Sequence, residues 1–299
     1  MKNIVLKTIF FVFTINLSFG QQWMKNLDIA QRLAQVQNKM VLMVWEETTN
    51  YQYPVLVKNE NGRTIFIQNL FDDEQVSPLI WANFVPVIVS EYQYADLFER
   101  IKGKRSQAYI DKFNDDSIKI LDVNGNILNV NYVTEDFQNI TEIINRYALT
   151  TTYIEKELRD YKNDYNFYSA YFLASKYLDF GIYADKKIRS EIVKLSRIYT
   201  EEAISLIKSQ NEEDQSLLKQ RCDLLKLQEY LILKRPKKVL RFLKKLDEEA
   251  VLENNKPFVA FLYYTAYMSL DKTEDAAVWK SKISSLNLSK AELIIKLNS

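Results

Sequence analysis

The chain contains no histidine and a single cysteine, Cys222, among its 299 residues. The first absence removes Ser-His-Asp and Cys-His catalysis in their usual forms, along with most zinc sites. The second removes any intramolecular disulfide, so stability has to come from the packed core. Glycine and proline are scarce, five of each, which disfavours a loop-rich all-β fold and points to many helices. No Gly-x-Gly-x-x-Gly and no phosphate loop occurs, so no nucleotide or other cofactor is expected. Lys+Arg number 40 against 39 Asp+Glu, a net charge of +1, which gives no electrostatic reason to expect nucleic acid.

What is present begins with 47% apolar residues, ample for a core and for about two domains at roughly 150 residues each. Met1-Lys2-Asn3 and Lys7 give a positive start, Thr8 to Leu17 is mostly apolar, and Ser18-Phe19-Gly20 places small residues before a cut between Gly20 and Gln21. That is the layout of a signal peptide, residues 1–20. The apolar stretch is shorter than the roughly 20 residues that span a bilayer, and no cysteine follows it for lipid attachment. The mature chain is therefore expected in the periplasm or secreted, without stable membrane insertion.

Two halves differ in periodicity. In the first, "DIAQRLAQVQNK" carries Ile29, Ala30, Leu33, Ala34 and Gln37 at helical spacing, with Asp28 as the expected cap. Met40–Trp45 and Phe84–Val89 are apolar runs that read as buried parallel strands. The crossover between them holds a helix in "DDEQVSPLIWANF" with Val76, Leu79, Ile80 and Phe84 toward the sheet. Asn61-Gly62 and Asn124-Gly125 each sit between β-rich runs and predict two-residue primed hairpin turns. From about Leu149–Tyr153 the pattern turns helical as far as Leu297, with Pro236 and Pro257 placed for first turns.

The order helix, buried strand, crossover helix, parallel strand, helix, β-hairpin, helix resembles a thioredoxin-like domain over residues 21–150. The stretches that carry it are "AQVQNKMVLMVWEE", "DDEQVSPLIWANFVPVIVSE" and "YIDKFNDDSIKILDVNGNIL". The resemblance implies a Cys-x-x-Cys just after the first buried strand, where a helix N-terminus lowers one thiol's pKa. Glu46, Glu47, Thr48 and Thr49 stand there instead. The family's cis-proline aligns with Asp116, where a trans bond is expected. An extra hairpin near 54–67 falls where the reactive helix would start. Fold is implied, redox activity is not. Residues 151–299 loosely resemble tetratricopeptide-like helical hairpins, as in "FLYYTAYMSLDKTEDAAVWKSKI", without the usual turn glycine or a strict 34-residue period.

Remaining candidates for chemistry are carboxylates: Glu46-Glu47, Asp72-Asp73-Glu74 and Asp115-Asp116. Asp72 or Asp73 reads better as a helix cap and Asp115-Asp116 as a polar loop. Asp122 to Gly125 lacks the terminal Glu and flanking helices of a calcium loop and reads as a turn. The many tyrosines suit packing seams with hydroxyls reaching solvent, Cys222 suits a packed position, and the basic run "ILKRPKKVLRFLKKLDEE" suits a solvated helix face. The expectation is an α/β thioredoxin-like domain plus an all-α helical-hairpin, solenoid-like domain. It would act as an exported, redox-inactive binding or scaffold module for another exported or envelope protein. No catalytic, cofactor-binding or metal residue and no small-molecule ligand is indicated. A carboxylate-based hydrolase, or a residual thiol/disulfide function, is the alternative.

Overall fold

The structure, a computed structural model, describes residues 22–128, 137–247 and 249–299. The expected cut at Gly20 and Gln21 lies outside them.

β1 (Met40–Trp45) is buried at all six positions, and β4 (Phe84–Val89) lies parallel to it with Met40 opposite Phe84 and Trp45 opposite Val89. A strand covered on both faces has no polar face to show, which is why both read as unbroken apolar runs. β5 (Lys119–Leu121) pairs antiparallel on the other side of β1. Single-residue bridges extend this sheet at both edges, Met24 running parallel beside Val87 and Ile127 antiparallel beside Leu121. The order across the sheet is thus Met24, β4, β1, β5, Ile127. A second small sheet holds β2 (Val55–Lys58) between β3 (Thr64–Ile67), antiparallel, and β6 (Gln138–Asn139), parallel.

Helix α1 (Leu27–Gln37) buries Leu27, Ala30 and Ala34, whereas Ile29 is 52% exposed. Its cap is Asn26, whose Oδ1 accepts the Ile29 N–H at 2.9 Å. The expected Asp28 instead sits in the first turn, where a carboxylate favours the positive helix end. Helix α2 (Val76–Asn83) buries Val76 and Ile80 and half-buries Leu79, while Phe84 begins β4 and is not part of the helix. Asp73 accepts the N–H groups of Gln75 and Val76 at the start of α2, both at 2.9 Å.

Both Asn-Gly turns differ from the two-residue expectation in the same way. Only Gly62 and Gly125 take positive φ, 74° and 87°, while the preceding asparagines do not. In each, a residue three before the glycine closes the loop: Asn59 accepts from Gly62 and donates to Arg63, Asp122 accepts from Gly125 and donates to Asn126. This is the three-residue loop in which a left-handed glycine makes a bulge. The side chain at the first position explains the choice. Asn59 Oδ1 accepts the N–H groups of Asn61 and Arg63, and Asp122 Oδ1 those of Asn124 and Asn126.

After β6 every named element is helical: α5 (Ile140–Tyr147), α6 (Glu155–Asn163), α7 (Phe167–Tyr183), α8 (Lys186–Leu206), α9 (Glu212–Ile232), α10 (Pro236–Leu243), α11 (Lys256–Met268), α12 (Thr273–Lys280) and α13 (Ser285–Asn298). Pro236 and Pro257 occupy first turns. The turn between α11 and α12 does without glycine because Asp271 takes φ 58°, and stacking of Tyr263 on Trp279, 4.2 Å between ring centroids, closes that hairpin. Helices α3 (Tyr94–Ile101) and α4 (Gln107–Asn114) complete the α/β half. The buried apolar core runs continuously from one half into the other.

Candidate functional site

The end of β1 is fixed from below. Trp45 is buried, donates its indole N–H to the Phe113 carbonyl at 3.1 Å, and meets Phe113 and Tyr94 with centroids 5.2 and 5.5 Å away. Immediately beyond it, Glu46–Asn50 forms a short 3-10 helix, and the β2–β3 hairpin expected from the sequence follows. Glu46 and Glu47 are exposed, and Thr48 and Thr49 are half-buried. Thr49 donates its hydroxyl to the Glu46 carbonyl at 2.7 Å, and Thr48 reaches the Asp116 carbonyl at 3.5 Å. The structure therefore brings together the positions singled out in the sequence: Glu46 to Thr49 on one wall and Asp116 on the other. No peptide bond among the described residues is cis.

The loop bearing Asp116 is itself held by Lys119, a buried lysine at the start of β5. Its ammonium donates to the carbonyls of Asp115 and Ser117 and lies 5.6 Å from the Trp45 ring centroid. Burial pushes its pKa down to about 8, with the charges of Asp115 and Asp116 pulling the other way. Asp115 also accepts the Ser117 N–H at 2.6 Å. The sequence reading did not single out Lys119. A charged residue opening an otherwise apolar strand, three residues after an acidic pair, was the available signal.

Chemically this surface can present two carboxylates and two hydroxyls on a fixed turn. Both hydroxyls already donate to carbonyls. Cys222, far from it in sequence, is buried in α9 with its thiol pushed up to about 12 by burial.

A second feature lies between the halves. The Asp122 carboxylate is fully buried and accepts from the Tyr199 hydroxyl at 2.5 Å and the Tyr177 hydroxyl at 3.3 Å, besides the turn amides. Burial raises the pKa of Asp122, opposed by hydrogen bonds from Tyr199 and from Asn126 and Asn124. Asn124 and Asn126 each donate a side-chain amide to Tyr199 in return. Beside them Arg105 pairs with Glu202 at 2.6 Å and Tyr161 donates to the same carboxylate at 2.5 Å. The turn expected from Asp122 to Gly125 is therefore present. The tyrosines behind it, however, turn their hydroxyls inward to a buried acid instead of outward to solvent.

Among the described residues no helix is long and apolar enough to cross a membrane, and no cluster of three His, Cys, Asp or Glu could hold a metal ion. Compared with protein-family models, with curated proteins and with solved structures, the chain matches none.

Proposed function

We propose that this is an exported protein whose first half is a thioredoxin-like domain without redox chemistry, mounted on helical hairpins and used to hold a protein partner. The observation that carries this reading is the pairing of strand order with residue identity. A parallel β4–β1 pair, an antiparallel β5 and a returning strand at Ile127 support the thioredoxin-like element order. The turn that follows β1 carries Glu46, Glu47, Thr48 and Thr49 and no sulfur. Carboxylate and hydroxyl oxygens cannot take the place of sulfur in thiol–disulfide exchange. The inserted β2–β3 hairpin beside that turn adds surface where a reactive helix would begin, with Phe66 half exposed. The α11–α12 packing supports the tetratricopeptide-like reading of the second half, a kind of architecture that offers concave surfaces to other proteins. The partner in this proposal is another exported or envelope protein.

Site-specific photo-crosslinking tests the proposal. A benzophenone amino acid at Glu47 in the native envelope is expected to give one discrete adduct with an exported protein, absent when the same group replaces Tyr92. Equal adducts at both positions, or none at Glu47, would contradict it.

A further inference from the structure

The basic run is the solvated helix face that the sequence pattern predicts, with Val239, Leu240 and Leu243 buried behind it, and it also borders a cleft. Segment 234–245 holds seven Lys or Arg and no Asp or Glu, in a chain whose net charge is +1. Among the described residues none of these cations is paired with a carboxylate, although twelve ion pairs form elsewhere, from the Lys58–Glu142 pair to the Lys290–Asp179 pair. Five of the seven, Lys234, Arg235, Lys237, Lys238 and Arg241, line one cleft of about 670 Å3.

The fold builds that convergence in three steps. Helix α9 ends in a close turn in which Lys234 takes φ 57°, the left-handed conformation that glycine usually fills. The N–H groups of Lys234 and Arg235 fold back onto the carbonyls of Leu231 and Tyr230 at 3.1 and 2.7 Å. Pro236 then starts α10 at once, so that cations before and after the turn face the same space. Lys238 lies 4.0 Å from the Tyr230 ring centroid, which steadies its stem and leaves it a donor.

The opposite wall is uncharged. It consists of Ser269 and Leu270 from the α11–α12 turn and Asn298 at the end of α13; Asp271, the next residue, does not line the cleft. Asn298 spends its amide hydrogens on the carbonyls of Leu231 and Ile294, and its Oδ1 is out of contact with water, so the polar recognition in the cleft falls to the cations. Converging guanidinium and ammonium groups match the oxygens of a phosphate. A space within 300–1,000 Å3, roughly, suits a small molecule larger than the bare ion.

We infer that the cleft between the α9–α10 turn and the end of α13 is a binding site for an organic phosphomonoester, such as a phosphorylated sugar. This site is separate from the surface after β1 and stands or falls independently of the partner proposed there. The phosphate could reach it free or on a lipid headgroup.

Calorimetric titration of the purified chain with a hexose phosphate, inorganic phosphate and the unphosphorylated hexose is the test. Saturable binding is expected for the hexose phosphate, weaker binding for inorganic phosphate and none for the plain sugar, with affinity falling as salt is raised. The Lys234→Gln, Arg235→Gln, Lys238→Gln triple variant should lose at least about tenfold in affinity. If that variant misfolds by circular dichroism, the exposed single changes Lys237→Gln and Arg241→Gln serve, each expected to weaken binding. Sedimentation with phosphatidic acid vesicles that the hexose phosphate reverses would assign the phosphate to a lipid; its absence would assign it to a soluble ester. No saturable binding, affinity unchanged in the folded variants, or tighter binding of a polyglutamate peptide than of the hexose phosphate would overturn the inference.

Discussion

Tyr199, in α8, donates its hydroxyl proton at 2.5 Å to the carboxylate of Asp122, the first residue of the turn that Asn126 closes in the α/β half. The two residues are 77 positions apart and both are fully buried. The contact fastens the helical half to the sheet through the same carboxylate that shapes the turn.

Removing donors from Asp122 should therefore destabilise in a graded way. Tyr199→Phe deletes the shorter bond to a buried acid and is expected to cost about 2 kcal/mol; Tyr177→Phe, at 3.3 Å, about 1 kcal/mol. Asp122→Ala, which also strands the amides of Asn124 and Asn126, should exceed both. Urea denaturation followed by tryptophan fluorescence and by far-UV circular dichroism measures the order. The two probes should give one coincident transition, because the core and this network span both halves.

The pH dependence of stability should carry the mark of Lys119. Its folded pKa, about 8, lies below the ordinary lysine value of 10.5, so between these values the unfolded chain binds more protons. Stability from this group therefore rises with pH through that window, by at most about 3 kcal/mol. Comparing wild type with Lys119→Met cancels the tyrosines that titrate above it. The difference between the two should shift toward wild type from about pH 7.5 to about pH 9.5. An unchanged difference would remove Lys119 as the buried cation beneath the Asp116 loop.

Glycine positions give a test of the turns. Gly62 has open space where a Cβ would point, so Gly62→Ala measures only the cost of positive φ, about 1 kcal/mol. At Gly125 the same Cβ would come within 2.8 Å of Gln31 Nε2, so Gly125→Ala should cost more, moderated by the freedom of that side chain to move. Equal losses would mean that Gln31 moves aside freely.

How legible was all this beforehand? Strands β1 and β4 were readable because burial on both faces leaves unbroken apolar runs. Pro236 and Pro257 marked helix starts because proline has no N–H to lose there. The turn type was not readable from Asn-Gly alone, since it depends on whether Asn59 and Asp122 bind the amides that follow. The cap of α1 went to Asn26 over Asp28, a two-residue choice made by chain entry and not by residue type. At the surface after β1, composition gave Glu46 to Thr49, but the facing of Thr48 and Asp116 and the buried support from Lys119 depend on contacts across 68 residues and more. Nothing local in the sequence tells Tyr177 and Tyr199 from the exposed Tyr168 and Tyr183.

Cys222 should resist labelling. Its thiol is buried and held at about 12, so Ellman's reagent is expected to react in urea and not with the native chain. Rapid native labelling would show that α9 opens or that the thiol is accessible.

The central claim, that the surface after β1 holds and does not exchange disulfides, is tested most directly by reduction of insulin with dithiothreitol as electron donor. The chain is expected to leave the uncatalysed rate unchanged, identically for wild type and Cys222→Ser. Acceleration by wild type that disappears in Cys222→Ser would place sulfur chemistry back in this protein and contradict the account.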